Sequence, residues 1–173
     1  MRALTCLDHA AKADLEGDHA RASAARTVAT HLLEAAIAEH GAGGDVEQWC
    51  HLATAHRQRQ DLDAAVDAGR RAVQLGEMRG DVSFDAHFNL GFDLAASGAA
   101  AEDVAQCFGS ALKVASAAGG RDGVPLSDRK AAHKALGASL AACQLPGGVG
   151  DDPAHPWRKR FTWTPKAKAA KRT

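Results

Sequence analysis

Apolar and polar positions along this chain recur with a helical period. The clearest run spans about His19 to His40, where Val28, Leu32, Leu33, Ala36 and Ile37 fall at steps of three and four, the spacing of one helix face. The cluster Gly41-Ala42-Gly43-Gly44 ends it, as glycines past a helix C-terminus do. The same reading gives a first helix capped by Thr5 and running to about Glu16, with a turn at Gly17-Asp18. Asp45 caps a third helix reaching about Arg59, and Gln60-Asp61 turns into a fourth that ends near Gly80. Asp81 and Ser83 open a fifth, closed by Ser97-Gly98; a sixth covers about Ala101 to Ala118. After a loop from Gly119 to Pro125, Ser127 or Asp128 caps a seventh that ends near Gln144. Segments rich in Val, Ile, Thr and aromatics, the material of strands, are missing. The pattern predicts an all-α fold of about seven helices arranged in pairs.

A signature recurs within these helices: Trp49-Cys50-His51-Leu52-Ala53-Thr54-Ala55, then Ala86-His87-Phe88-Asn89-Leu90-Gly91, then Ala132-His133-Lys134-Ala135-Leu136-Gly137. Its spacing, about 40 residues, lies in the range where internal repeats mean a stacked array. Such an array buries one continuous core between neighbouring units and offers an extended concave face to partners. Leu52, Leu90 and Leu136 are expected at equivalent buried positions. Ala53, Gly91 and Gly137 are expected where two helices of a pair cross closely, with larger side chains filling the space between pairs.

The helix-turn-helix pattern resembles the tetratricopeptide repeat (TPR). Trp49, Leu52, Ala53 and His56, followed by Ala65, Gly69 and Ala72, match that consensus in one unit. His87, Leu90, Gly91 and Leu94, followed by Val104, Phe108 and Ala111, match it in the next. A third unit begins with His133, Leu136, Gly137 and Leu140 and lacks a complete second helix; the N-terminal pair fits poorly, with His9-Ala10 where Leu-Gly belongs. Spacings of about 38 and 46 residues exceed the standard 34. With Ala86 to Gly91 and Gly80-Asp81, they look like the long-period branch that includes the G-protein-signalling modulators and kinesin light chains. The resemblance implies a TPR-like α-solenoid over residues 1–144 and a partner groove on its concave face. That groove would be lined by His51, Thr54, Arg57, Phe88, Asn89, Phe92 and Lys134. Asn89 matches a position that contacts ligand backbone in several TPR families, and Arg57 and Lys134 would receive an acidic group. The two-carboxylate clamp of chaperone-binding TPRs is not reproduced, because the required spread of Lys, Asn and Arg is incomplete. Phe88 and Phe92, four apart, share a face and serve either as core or as an apolar groove floor.

Charge changes this picture at the C-terminus. The 173 residues balance 21 Lys/Arg against 21 Asp/Glu, but residues 157–173 hold seven of the cations and no acid. The chain is therefore an acidic body, a Pro/Gly linker over 145–156, and an extended basic arm over 157–173. In the arm, Trp157, Phe161 and Trp163 are interleaved with Arg158, Lys159, Arg160, Lys166 and Lys168. Cations with interspersed aromatics suit RNA, where they neutralise phosphate and stack on bases. They suit an acidic protein surface equally, including the acidic body of this chain.

Catalytic and metal chemistry find little support. The four cysteines, Cys6, Cys50, Cys107 and Cys143, lie far apart on apolar helix faces and read as buried free thiols in a reducing compartment. His51 and His56 are five apart and do not share a helix face; Cys6 and His9 do, but a zinc site needs more ligands. His87 and His133, at matching repeat positions, are expected to pack between helices. Walker, dinucleotide and serine-elbow motifs are absent. No apolar stretch is long enough to span a bilayer, and the acidic N-terminus argues against a cleavable leader. The expectation is a non-enzymatic interaction scaffold without cofactor or metal, a peripheral subunit of a larger intracellular complex in the cytoplasm or an organelle matrix. The alternative is a ribosomal or organellar ribosomal component whose tail contacts RNA.

Overall fold

The computed structural model describes residues 2–40, 44–117 and 124–143, which form seven α-helices and no strand. They are α1 (Arg2–Leu15), α2 (His19–Glu39), α3 (Val46–Gln58), α4 (Leu62–Arg79), α5 (Phe84–Ala96), α6 (Ala101–Ala117) and α7 (Leu126–Ala142). The linker and the basic arm, with all of its candidate contacts, lie outside the described residues.

Capping sets most of the boundaries. Asp18, Asp45, Asp61 and Ser83 each accept a backbone N–H of the following first turn, satisfying donors that a helix start leaves open. At α3 the Gln48 side chain returns the bond to the Asp45 N–H and completes a capping box. Two expected caps differ. Thr5 lies inside α1, which begins three residues earlier. Ser127 and Asp128 lie inside α7, which starts after Pro125; the Ser127 hydroxyl donates to the neighbouring Asp128 carboxylate instead.

Tight turns fold α1 on α2, α3 on α4 and α5 on α6 as antiparallel pairs. Each pair packs on the next, α7 packs on α6, and α3 also touches α5 across the intervening pair boundary. The core follows the same course. Leu7, Leu33, Ile37 and Leu52 join α1–α3; Val46, Cys50, Ala72 and Ala86 join α3–α5; Val66, Leu90, Phe108 and Leu136 join α4–α7. A core built from neighbour contacts alone is the mark of a helical-repeat solenoid. Leu52, Leu90 and Leu136 are all buried, as their repeat positions imply. An Arg26–Asp14 ion pair adds a polar tie between α2 and α1.

Close approach explains two glycines. A Cβ on Gly91 would lie 2.9 Å from Phe108 Cζ, so α5 and α6 meet only because Gly91 has no side chain. A Cβ on Gly76 would lie 2.7 Å from the Asp81 carbonyl oxygen, and the Asp81 N–H donates to the Gly76 carbonyl at 2.9 Å. Gly76 thereby lets the α4–α5 turn fold back on its own helix and fixes where Asp81 stands. Gly137 departs from expectation: nothing lies within 4 Å of its Cβ position, because no second helix covers that side of α7 among the described residues. For the same reason His133 is exposed while His87, its repeat equivalent, is buried.

A candidate recognition cleft between the third and fifth helices

Arg57 on α3 reaches across to α5. Its Nη1 donates to Asp93 Oδ1 at 2.7 Å and to the Asn89 carbonyl at 3.5 Å, and its Nη2 donates to Asn89 Oδ1 and Thr54 Oγ1, both at 3.4 Å. Thr54 in turn donates to the Cys50 carbonyl one turn back. Asp93 is fully buried. Burial pushes its carboxyl above the ordinary range, and the charge and hydrogen bond of Arg57 pull it partly back. A carboxylate in such a place requires a cation. Arg57 is thus engaged inside the protein and does not stand free to receive an acidic ligand, contrary to the expectation for that residue.

Beside this network a cleft of about 560 Å³ opens between the N-terminal halves of α3 and α5. It is lined by His51, Thr54 and Asn89 from the expected set, together with Asp45, Val46, Glu47, Cys50, Arg79, Asp81, Ser83 and Asp85. A second cavity of about 360 Å³ shares Asp45, Glu47 and His51 with the first and continues toward α1 and α2, where Leu4, Leu32 and Leu33 line it beside Arg2 and Gln48. Leu4 and Leu32 are among the exposed large hydrophobics.

The sign of the cleft is negative. Four carboxylates face one arginine, and that arginine, Arg79, donates to the Gly44 carbonyl at 2.9 Å. Asp45 is occupied as a cap, and Glu47 stands 3.3 Å from His51. Asp81 and Asp85 are exposed and have no ion-pair partner among the described residues. Cys50, in the cleft wall, registers this field: burial, followed by Asp85, Glu47, Asp45 and Asp93, pushes its thiol up to about 12.

The remaining expected groove residues fall elsewhere. Phe88 stacks on Phe84 at 5.1 Å between ring centroids and meets Phe92 edge-on at 4.9 Å, and both Phe88 and Phe92 reach Phe108. Phe88 belongs to this aromatic cluster, at the margin of the core; Phe92 is its exposed edge. Lys134 is exposed on α7 and lines neither cavity. Asp85 and Asp93 escaped the sequence reading, and Asp81 entered it only as a helix opener and in the Gly80-Asp81 pair. Two signals for them were present: Asp93 follows Asn89 by one helical turn, and Asp45-Val46-Glu47 is echoed by Ser83-Phe84-Asp85 at the repeat spacing.

The described residues contain no group of three or more His, Cys, Asp or Glu gathered to hold a metal ion, and no helix long and apolar enough to cross a membrane. No protein-family model matches the chain, and no curated protein matches it at a significant level.

Proposed function

We propose that this chain is a non-enzymatic, TPR-like adaptor that receives a cationic segment of a protein partner in the cleft between α3 and α5. The observation that carries this reading is the pair of exposed carboxylates, Asp81 and Asp85, without an ion-pair partner among the described residues, facing a cavity whose own arginine is turned to the backbone. The adjoining cavity has an apolar side at Leu4, Leu32 and Leu33 with room for a large side chain, so a Lys/Arg-rich segment carrying an aromatic or aliphatic anchor fits the two together. The stacked helix pairs and the recurrence of Leu52 at Leu90 support the TPR likeness. Four thiols spread over the array agree with a reducing intracellular compartment. In this reading the chain is a peripheral subunit of a larger complex.

The test is affinity isolation of the full chain with and without nuclease, beside the variant Asp81→Asn/Asp85→Asn. The expected result is a protein partner retained through nuclease treatment and lost in the double variant. Equal recovery with the double variant would move the binding surface off this cleft. A second reading, an RNA-associated component of ribosomal type, is favoured by the cations and aromatics interleaved in 157–173. It requires that nuclease release the assembly and that binding weaken steeply with salt.

A further inference from the structure

The chain itself carries a segment with the chemistry the cleft calls for. Residues 157–173 hold seven Lys/Arg, no acid, and three aromatics in the first seven positions. The acidic cavity and its neighbour share the wall formed by Asp45, Glu47 and His51, and the neighbour has Leu4, Leu32 and Leu33 on one side with Arg2 beside them, so one extended segment can place cations in the first and a ring in the second. From Cys143, the last described residue, to Trp157 is a span of fourteen residues, which reaches about 46–50 Å when extended. The cleft lies at α3 and α5, and α7 is separated from α5 by α6. With helix axes 8–10 Å apart, three steps across the array give roughly 30 Å, and the length of α7 adds up to about 25 Å along the axes, a straight-line separation of about 40 Å, within that reach. The tether makes docking intramolecular and so independent of chain concentration. We infer that the basic aromatic segment 157–173 docks intramolecularly in the cleft between α3 and α5, with Asp81, Asp85 and Glu47 opposing its Lys/Arg residues and an aromatic ring seated against Leu4 and Leu32. An external cationic partner must then displace it.

This inference rests on the reading of the cleft as the recognition surface and adds an occupant to it. The Lys/Arg residues are also what exposes the tail to trypsin, so docking and cleavage compete. Cleavage then tracks the undocked population. Loss of two exposed ion pairs should raise the rate of tail cleavage about fivefold in the full-length Asp81→Asn/Asp85→Asn variant. A matched pair of exposed carboxylates on α4, Asp63→Asn/Asp67→Asn, should leave the rate unchanged. Zero-length carbodiimide coupling on an equal mixture of isotopically heavy and light full chains then locates the contact. Expected are links from Lys159, Lys166 or Lys168 to Glu47, Asp81 or Asp85, confined to chains of one isotope and lost at 1 M salt, where the screening length is about 3 Å. Links between heavy and light chains would overturn the inference in favour of a second copy. Links scattered over other exposed acids, or equal cleavage rates in all three proteins, would overturn it outright. Tail protection that vanishes on nuclease treatment would assign the tail to nucleic acid instead. If the cleft variant loses its protein partner while tail cleavage is unchanged, the cleft reading stands and the intramolecular occupant falls. If the tail links in the cleft but partner recovery ignores the variant, the reverse holds.

Discussion

Two glycines at matching repeat positions should respond to the same substitution with opposite signs. Both Gly91 and Gly137 lie inside helices, so replacing either with alanine recovers about 0.5–1 kcal/mol of backbone entropy and helix propensity. At Gly137 nothing stands within 4 Å of the new methyl, so that gain should appear undiminished. At Gly91 the methyl meets three atoms of one ring, Phe108 Cζ, Cε1 and Cε2, at 2.9–3.1 Å. Phe108 is 1% exposed and is held by Phe88 and Phe92 at centroid distances of 5.9 and 5.2 Å. Moving it therefore disturbs the whole cluster. Overpacking of this kind costs about 1–3 kcal/mol, which exceeds the propensity gain. Gly91→Ala should be less stable than wild type by up to about 2 kcal/mol, and Gly137→Ala more stable by up to about 1 kcal/mol. Because the helix term is common to both, the difference between the variants isolates the clash. The assay is urea denaturation followed by circular dichroism, with the midpoints compared at a common slope. Gly91→Leu extends the series and should be worse than alanine. A Gly91→Ala variant as stable as Gly137→Ala would refute the close crossing of α5 and α6.

Other expectations follow from the buried polar groups. Removing Arg57 as Arg57→Met leaves Asp93 without its cation and should destabilise by about 3 kcal/mol, the low end for a broken buried pair, with Arg57→Met/Asp93→Leu recovering part of the loss. Asp93 is already raised above its ordinary 3.8, and loss of Arg57 raises it further, so the folded state holds that proton more tightly than the unfolded chain. The defect should therefore be smallest at low pH and grow as pH climbs from the wild-type folded value of Asp93 through the higher value of the variant, which denaturation at pH 5 and pH 8 checks. Burial lowers His87 from 6.5, with Glu77 opposing; its contribution is complete above 6.5 and is lost as pH falls through the folded value, and His87→Gln should flatten that part of the stability profile. Cys50 and Cys107 are pushed up to about 12 and about 11, so at pH 8 their thiolate fractions are on the order of 10⁻⁴ and 10⁻³. Titration with an aromatic disulfide should show two slow thiols in the folded protein that become fast in denaturant, and Cys50→Ala should remove one of them.

The helices were legible because their punctuation is local. Asp45, Asp61 and Ser83 act on the turn that follows them, and Gly80 stops α4 in a left-handed conformation. Thr5 and Ser127 misled because a good capping residue can also sit inside a helix and spend its hydroxyl nearby, as Ser127 does on Asp128. The repeat register was legible as well, since Leu52, Leu90 and Leu136 recur with their small neighbours and all three are buried. The cleft was harder. The repeat consensus points to positions but carries no information on what a side chain already holds. Arg57 occupies a groove position and spends its guanidinium on Asp93, 36 residues away. Gly137 occupies a crossing position on a helix that nothing crosses among the described residues. Both are facts of long-range pairing, which spacing along the chain cannot carry.

The sign of the cleft follows from the burial of Asp93. A carboxyl removed from water demands a cation at contact distance, and Arg57 is the one that reaches it from α3. Once committed, that guanidinium also bridges Asn89 and Thr54, and so pins α3 to α5, the two helices that bound the cavity. Helix starts favour acidic side chains, because the N-terminal end of the helix dipole is positive; Glu47 and Asp85 stand in the first turns of these same helices. Local helix electrostatics thus places carboxylates at the mouth, while the demand of Asp93 withdraws the arginine that would have balanced them. One interaction, the Arg57–Asp93 pair, both ties α3 to α5 and leaves the cleft negative, although Arg57 lines neither cavity.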